Sequence, residues 1–282
     1  MNMILQKTFL SIAAATTLFI TSCNNEAEQK ETTETDTATT ASKLKEENVT
    51  YSADNITMNG FIVYDENKTG TRPAVLVVHE WWGLNDYIKS RARQLAELGY
   101  IAMAVDMYGN GKTADNPGDA GKLAEPFYKN PQMAKARFDA ALEKIKTYAQ
   151  TDTSKVGAIG YCFGGAQVIN MAKLGDNLKG VVSFHGNLNV VPAKKDLLRA
   201  EILVCHGAAD PFVPKEEVEQ FKKQMDSINA RYTFKAYEGA VHAFTNPEAT
   251  AKGEQFKIPI KYDAAADSAS WNDMKTFFGR IF

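Results

Sequence analysis

The chain has 282 residues, of which 44% are hydrophobic and 10% aromatic. That length and apolar content suit one domain of roughly 200–250 residues with a complete core. The 32 basic and 34 acidic side chains leave a formal net charge of −2. This near balance argues against nucleic acid and anionic membrane surfaces as partners, since both select a strong basic excess.

The N-terminus has the pattern of a bacterial lipoprotein signal. Lys7 precedes an apolar run of about 12 residues, which is too short to span a bilayer. The run ends in the sequence Ile-Thr-Ser-Cys, at Cys23, which resembles a lipobox. The pattern predicts removal of residues 1–22 and lipidation of Cys23, and a multiply acylated cysteine anchors stably to a membrane. An ordinary secretory signal with an incidental Cys23 is the alternative.

The next segment, residues 24–48, is rich in Thr, Glu, Ala and Lys, and Leu44 is its one large apolar side chain. Such a composition cannot bury enough surface to offset the entropy of ordering. We therefore expect residues 23–48 to form a disordered, acidic tether and residues 49–282 to form the folded domain. Together with the anchor, this predicts a protein of the cell envelope, either periplasmic or exposed at the surface.

Strand and helix patterns alternate from Val49 onward. Two segments, 49–53 and 56–64, suit an antiparallel pair at a sheet edge. Apolar runs predict buried strands, and a period of 3.6 residues predicts helices between them. The strands are expected at 74–78, 101–105, 156–159, 180–184, 202–205 and 232–237, and the helices at 86–98, 133–149, 215–228 and 270–282. The alternation predicts an α/β fold with a mostly parallel, twisted sheet and helices on both faces. Segments 107–130 and 246–269 are expected to be irregular and to shape a pocket.

A glycine-rich turn directly follows the strand at 156–159. It reads Gly160-x-Cys162-x-Gly164-Gly165, which is the pattern of a nucleophile elbow with a thiol in place of the commoner serine. The chain turns too sharply there to accept side chains at the neighbouring positions, so the central side chain is pushed out. Cys162 is therefore the candidate nucleophile. The alternative is a glycine-rich helix start with a buried thiol.

A thiol nucleophile needs a base and a group that orients the base. Asp210 and His242 each follow a predicted strand, and the order nucleophile, acid, histidine is that of the α/β-hydrolases. His79 lies upstream of the elbow, where the base is not expected. His185 either lines the pocket or has a structural role, and His206 is expected to hold the loop that carries Asp210.

Two backbone N–H groups are needed to bind the developing oxyanion. Phe163, which follows the nucleophile, and Trp81, in the loop after the strand at 74–78, are the candidates. Glu80 lies beside them, although a carboxylate would repel an oxyanion. It either controls the protonation of Cys162, or it is a surface acid or a structural ion pair with Arg91 or Arg93.

These motifs together resemble the dienelactone hydrolase family over about residues 49–282. The motifs are the elbow, the His79-Glu80 pair with Gly83, the Asp106-x-Tyr108-Gly109 turn, Asp210 and His242-Ala243-Phe244. The resemblance implies an α/β-hydrolase fold and a Cys-His-Asp hydrolase of esters or lactones that needs no cofactor or metal. It also implies a neutral resting thiol, hydrogen-bonded to Glu80 until substrate displaces the carboxylate.

The sequence departs from the family at the arginines that clamp a substrate carboxylate. Asn110 and Asn246 stand at those two places, so bidentate carboxylate recognition is lost. We therefore expect a neutral or bulkier ester rather than dienelactone itself. The candidate substrate-binding residues are Trp82, Tyr108, Asn110, His185 and Asn246.

Two further hypotheses are compatible with the sequence. A hydrolase fold does not establish activity, so the chain could be a non-catalytic lipoprotein that binds a ligand or partner. Cys162 could also be a redox thiol paired with Cys205, although no Cys-x-x-Cys motif is present. We expect instead that Cys205 is a core residue without a disulfide, and that the chain is a monomer.

Overall fold

The computed structural model describes residues 41–282, which form eight strands and seven helices. The strands are β1 Leu44–Ala53, β2 Ile56–Asp65, β3 Arg72–Val78, β4 Ile101–Val105, β5 Thr151–Tyr161, β6 Gly180–Phe184, β7 Glu201–Gly207 and β8 Tyr232–Tyr237. The helices are α1 Asp86–Glu97, α2 Pro117–Lys129, α3 Pro131–Lys146, α4 Phe163–Lys173, α5 Lys215–Ser227, α6 Ala249–Phe256 and α7 Ala264–Ile281.

The strands form one sheet in the order β1-β2-β4-β3-β5-β6-β7-β8. The pairs β1–β2 and β2–β4 are antiparallel, and the remaining neighbours are parallel. This is the predicted α/β-hydrolase fold. Because β3, β5, β6, β7 and β8 run in the same direction, the loops after them meet at one edge of the sheet, where such folds bind ligands.

Alternate side chains of the buried strands pack into two hydrophobic cores, one on each face of the sheet. In β3, Leu76 packs on the face that carries α3, α4 and α5, while Val77 packs on the face that carries α1 and α7. Helices therefore cover both faces, and this explains why the central strands read as continuous apolar runs. No helix within residues 41–282 is both long and apolar enough to cross a bilayer.

The expected start of the domain at residue 49 is wrong by five residues. β1 begins at Leu44 and pairs with β2 from Leu44 opposite Asp65 onward. Glu46 binds Arg93 at 2.6 Å, and Glu47 accepts a hydrogen bond from the Tyr148 hydroxyl at 2.8 Å. An edge strand is held by backbone pairing and needs few apolar side chains, so composition alone misassigned residues 44–48. Residues 1–40, with the expected signal, Cys23 and most of the expected tether, lie outside the described residues.

The two segments expected to be irregular contain helices. α2 lies within 107–130, capped by Asn116, whose side chain accepts from the Asp119 N–H at 3.0 Å. Gly118, Gly121 and Pro126 interrupt its sequence pattern, which hid the helix. Segment 246–269 contains α6 and the first residues of α7, and α7 is capped by Asp263.

Candidate active site

The turn between β5 and α4 is held in a strained conformation. Cys162 has φ 52° and ψ −114°, a region that costs a non-glycine residue roughly 1–3 kcal/mol. A Cβ at Gly160 would collide with the backbone of Gly164, and a Cβ at Gly164 would collide with the backbone of Val78. The Cys162 N–H donates to the Phe184 carbonyl at 2.9 Å. The thiol is therefore presented, partly exposed, above the end of β5.

Asp210 and His242 are in contact. Asp210 follows β7 and His242 follows β8, and His242 Nδ1 lies 2.8 Å from Asp210 Oδ2. The other carboxylate oxygen of Asp210 accepts from the Phe212 N–H at 2.8 Å. Burial lowers the pKa of His242, but charge on the Cys162 sulfur and the bond to Asp210 outweigh burial and raise this pKa to about 10. The pair can therefore hold an imidazolium beside a thiolate.

Glu80 follows β3 and is 2% exposed. Its Oε2 accepts a hydrogen bond from Asn246 Nδ2 at 2.6 Å. Burial raises the pKa of Glu80 to about 7, against the lowering effects of the Asn246 bond and the charge of His242. A carboxyl group with a pKa near neutrality can both accept and release a proton.

The surface-acid alternative for Glu80 is wrong, because Arg91 pairs with Asp267 and Arg93 with Glu46. The hydrogen bond expected between Glu80 and the Cys162 thiol is also not formed within the described residues. Asn246 holds the carboxylate instead.

The two candidate oxyanion donors lie in well-fixed loops. The Trp81 carbonyl accepts from the Tyr108 hydroxyl at 2.9 Å, and the Gly164 N–H donates to the His79 carbonyl at 3.0 Å. Within residues 41–282, the N–H groups of Trp81 and Phe163 donate to no protein acceptor. Neither N–H group is therefore engaged by another described residue.

His79 forms hydrogen bonds to two loops, the one after β3 and the one after β4. Its Nδ1 donates to the Glu80 carbonyl at 2.5 Å, and its Nε2 accepts from the Met107 N–H at 3.3 Å. Burial lowers the pKa of His79 to about 4, so the ring stays neutral. Its role is structural, as its place in the chain order suggests.

The site opens into a cavity of about 170 Å³. Its walls are mostly aromatic or aliphatic, and among the described residues that line it none is Lys or Arg. The lining consists of Glu80, Trp81, Trp82, Ala124, Tyr128, Cys162, Asn187, Phe212, His242, Ala243 and Ile260. Trp82 is therefore where the sequence predicts it. Tyr128 was missed because α2 was not foreseen, and Phe212 and Ile260 were missed because loop side chains give no periodic pattern.

Two predicted substrate-binding residues support the loops rather than line the cavity. The hydroxyl of the buried Tyr108 donates to the Trp81 carbonyl, and its ring centroid lies 4.6 Å from that of His79. Asn110 is exposed at φ 55°, and its N–H donates to the Thr57 carbonyl at 2.7 Å. Its side chain is not part of the cavity lining.

His185 and Asn246 are also absent from the cavity lining. His185 is 1% exposed, its Nδ1 accepts from the Cys162 N–H at 3.1 Å, and its Nε2 bonds Thr245 Oγ1 at 2.7 Å. The structure places His185 against the backbone of the elbow, as the structural alternative for this residue predicts. Asn246 is 1% exposed and contacts Glu80. Thr245, which also accepts from the Tyr87 hydroxyl at 2.8 Å, was not foreseen.

Cys162 and Cys205 are both free thiols. Cys205 is fully buried in β7, and burial raises its pKa to about 12. The prediction that Cys205 is a core residue is confirmed, and no disulfide joins Cys162 to Cys205. Residues 41–282 contain no cluster of three or more side chains that could hold a metal ion.

Comparison with known proteins shows which family the chain is similar to. Residues 58–282 match the family model described as the dienelactone hydrolase family. Protein usf of Aquifex pyrophilus is 33% identical over 212 residues, which cover 73% of this chain and 87% of that protein.

Two solved structures are similar over almost their whole length. A dienelactone hydrolase-like promiscuous phosphotriesterase from metagenomic libraries is 34% identical with a TM-score of 0.80, covering 85% of this chain and 99% of that one. A structure named m3DLH is 32% identical with a TM-score of 0.80, with the same coverage of 85% and 99%. The chain belongs to the dienelactone hydrolase family and is a hydrolase of that type.

Proposed function

We propose that the protein hydrolyses a neutral ester or lactone through a thioester acyl-enzyme on Cys162. The observation that carries this proposal is the convergence of Cys162, His242 and Glu80 on one cavity, with Asp210 bound to the far side of His242. A nucleophile, a charged imidazole and a carboxylate poised near neutrality are the groups that acyl transfer requires.

Acylation begins when Glu80 takes the proton of the Cys162 thiol. The resulting negative charge keeps His242 protonated. The thiolate attacks the carbonyl carbon, and the N–H groups of Trp81 and Phe163 bind the oxyanion. The C–O bond then breaks, and His242 gives its proton to the leaving oxygen.

Deacylation uses the same groups in reverse. Neutral His242, oriented by Asp210, takes a proton from water, which attacks the thioester carbonyl. The C–S bond breaks, the acid departs, and the sulfur recovers its proton from Glu80. Each group returns to its starting state.

The cavity favours a neutral substrate. Its volume of about 170 Å³ suits a small acyl group. A substrate carboxylate would meet Glu80 and no Lys or Arg among the described lining residues, so it would be buried without a partner, which is costly. We therefore propose that dienelactone itself is not the substrate.

The test is hydrolysis of short-chain aryl esters by the full-length protein in detergent. We expect Cys162→Ala to lower kcat by about 10³-fold or more, because no covalent intermediate can form. Cys205→Ala is the matched control, since it removes the second free thiol of residues 41–282, which does not line the cavity. If the wild type and Cys162→Ala are equally inactive over a broad ester panel, the chain is a binding protein on a hydrolase scaffold.

We also propose that the protein is anchored in the cell envelope through lipidated Cys23. The lipobox-like sequence that ends the apolar run supports this proposal. Metabolic labelling with a fatty-acid analogue should mark the wild type and Cys205→Ser but not Cys23→Ser. Labelling of Cys23→Ser at the wild-type level would contradict the anchor.

A further inference from the structure

A second, larger groove adjoins the cavity of Cys162. It has a volume of about 530 Å³ and is open to solvent. Tyr128 and Asn187 line both spaces, so a ligand can extend from one into the other. The remaining lining residues of the groove are Asn189, Val190, Glu216, Glu217 and Gln220.

The Glu216 carboxylate is an open acceptor in the groove, and two of the amide groups that line the groove already donate to the backbone. Asn187 Nδ2 donates to the Phe212 carbonyl at 3.1 Å, and Asn189 Nδ2 donates to the Glu217 carbonyl at 2.6 Å. Asn189 Oδ1 is enclosed and has no hydrogen-bond partner within residues 41–282. Glu216 and Gln220, one turn apart at the start of α5, are exposed on the groove wall. A matching ligand therefore has to supply donors to Glu216 and groups that both donate and accept to the Gln220 amide, and hydroxyl groups do both.

The charge of the groove excludes an anion. None of the described residues that line it is Lys or Arg. The nearby Lys173 is 1% exposed and turns its ammonium inward to the Leu188 carbonyl at 2.8 Å. The N-terminus of α5 would attract an anion by its dipole, but Glu216 and Glu217 occupy its first turn and offset that field.

Phe212 connects the groove to His242, the group that protonates the leaving oxygen in the proposed reaction. The leaving oxygen takes its proton from His242. The Phe212 ring packs 5.0 Å from the His242 ring, and the Phe212 carbonyl holds Asn187, where the groove begins. The alcohol half of an ester bound near His242 is thus directed into the groove, and the acyl half stays in the apolar cavity.

We infer that the groove binds the leaving alcohol, and that this alcohol is uncharged and rich in hydroxyl groups, as in an O-acylated sugar or polyol. The inference rests on the proposed ester hydrolysis and names its substrate class. Attack breaks the bond between the acyl carbon and the sugar oxygen and forms the C–S bond, and the proton of His242 completes the released hydroxyl.

The experiment compares four acetyl esters with the full-length protein. These are an acetylated methyl glucoside, its uronic acid counterpart, cyclohexylmethyl acetate and nitrophenyl acetate. We expect kcat/KM for the glucoside to exceed that for the cyclohexylmethyl and uronic acid esters by about tenfold or more, as two net hydrogen bonds allow. The double variant Glu216→Ala/Gln220→Ala should remove that preference. Glu219→Ala, on the same helix but outside the groove lining, should keep it.

The outcomes separate the two proposals. If nitrophenyl acetate is cleaved in a Cys162-dependent way but the glucoside has no advantage, the groove inference is overturned and the proposed function stands. It is likewise overturned if the double variant keeps the preference. If no ester is cleaved, the proposed function itself fails.

Discussion

His242 and Glu80 are two buried ionisable groups at one cavity, yet they are held in different ways. His242 has a charged partner, Asp210. Although burial lowers the pKa of His242, charge on the Cys162 sulfur and the bond to Asp210 raise this pKa to about 10. Glu80 has a neutral partner, the Asn246 amide, and burial raises its pKa to about 7. A charged partner favours the charged form of the group in the resting site, whereas a neutral partner leaves the group free to change its protonation state near physiological pH. His242 is therefore the resting cation, which gives up its proton only to the leaving oxygen, and Glu80 is the adjustable base.

Removing the charge of the partner of His242 should have the largest effect. Asp210→Asn keeps the shape but presents an amide to Nδ1, which favours the wrong tautomer and removes the charge that supports the imidazolium. We expect kcat for aryl esters to fall by about 10⁴-fold, the size seen for this change in serine triads. The exposed Asp226→Asn is the control. Retention of more than a tenth of the wild-type kcat would mean that His242 does not depend on Asp210.

Removing the adjustable base should have the next largest effect. Glu80→Gln leaves no carboxylate to accept the thiol proton, so kcat should fall by roughly 10²–10³-fold. The rate of Cys162 alkylation by iodoacetamide should fall with it at pH 7. Glu97→Gln, exposed on α1, serves as the matched control. Unchanged kcat and alkylation would assign Glu80 a purely structural role.

The same variant should be more stable than the wild type in alkaline solution. The folded-state pKa of Glu80, about 7, lies above its ordinary value of 4.5. Folding therefore binds a proton, and the wild type loses stability as the pH rises from about 4.5 through 7. Above that window, Glu80→Gln should gain roughly 3 kcal/mol in urea-induced unfolding relative to the wild type. At pH 4 the difference should vanish, and a difference that grows toward acid would contradict the assignment.

The sequence predicts the position of His242 and its charged partner, Asp210, well. Strand order places the residues after β5, β7 and β8 at one edge, so the meeting of Cys162, Asp210 and His242 follows from the chain pattern. Two features that bring these residues together depend on the backbone alone and not on side-chain direction. They are the glycines of the elbow and the parallel register of the strands.

The contact between Glu80 and its neutral partner, Asn246, could not be predicted in the same way. Asn110 and Asn246 occupy the places of two substrate-binding arginines, which suggested contact with substrate. An asparagine side chain is too short to follow an arginine into the cavity, and Asn246 instead reaches Glu80. His185 and Tyr108 likewise point inward, because their ring orientation is set by partners distant in sequence, Thr245 and Trp81. Loop side chains have no period from which their direction can be read.

Replacing Asn246, the neutral partner of Glu80, should have the smallest effect. It is also the most direct test of the comparison between Glu80 and His242. The Asn246 amide lowers the pKa of Glu80, as do the charges of His242 and Lys252, whereas Glu248 raises it. In Asn246→Leu the hydrogen bond is lost, so the acidic limb of the kcat profile should move to higher pH by about one unit, or tenfold in rate on that limb. Activity should recover at pH 9, which a collapsed site would not allow. Glu248→Gln should move the limb slightly the other way, because it removes the charge that opposes ionisation. If both variants moved the limb in one direction, or neither moved it, Glu80 would not be the group whose ionisation limits the rate, and the adjustable base would have to be sought at His242.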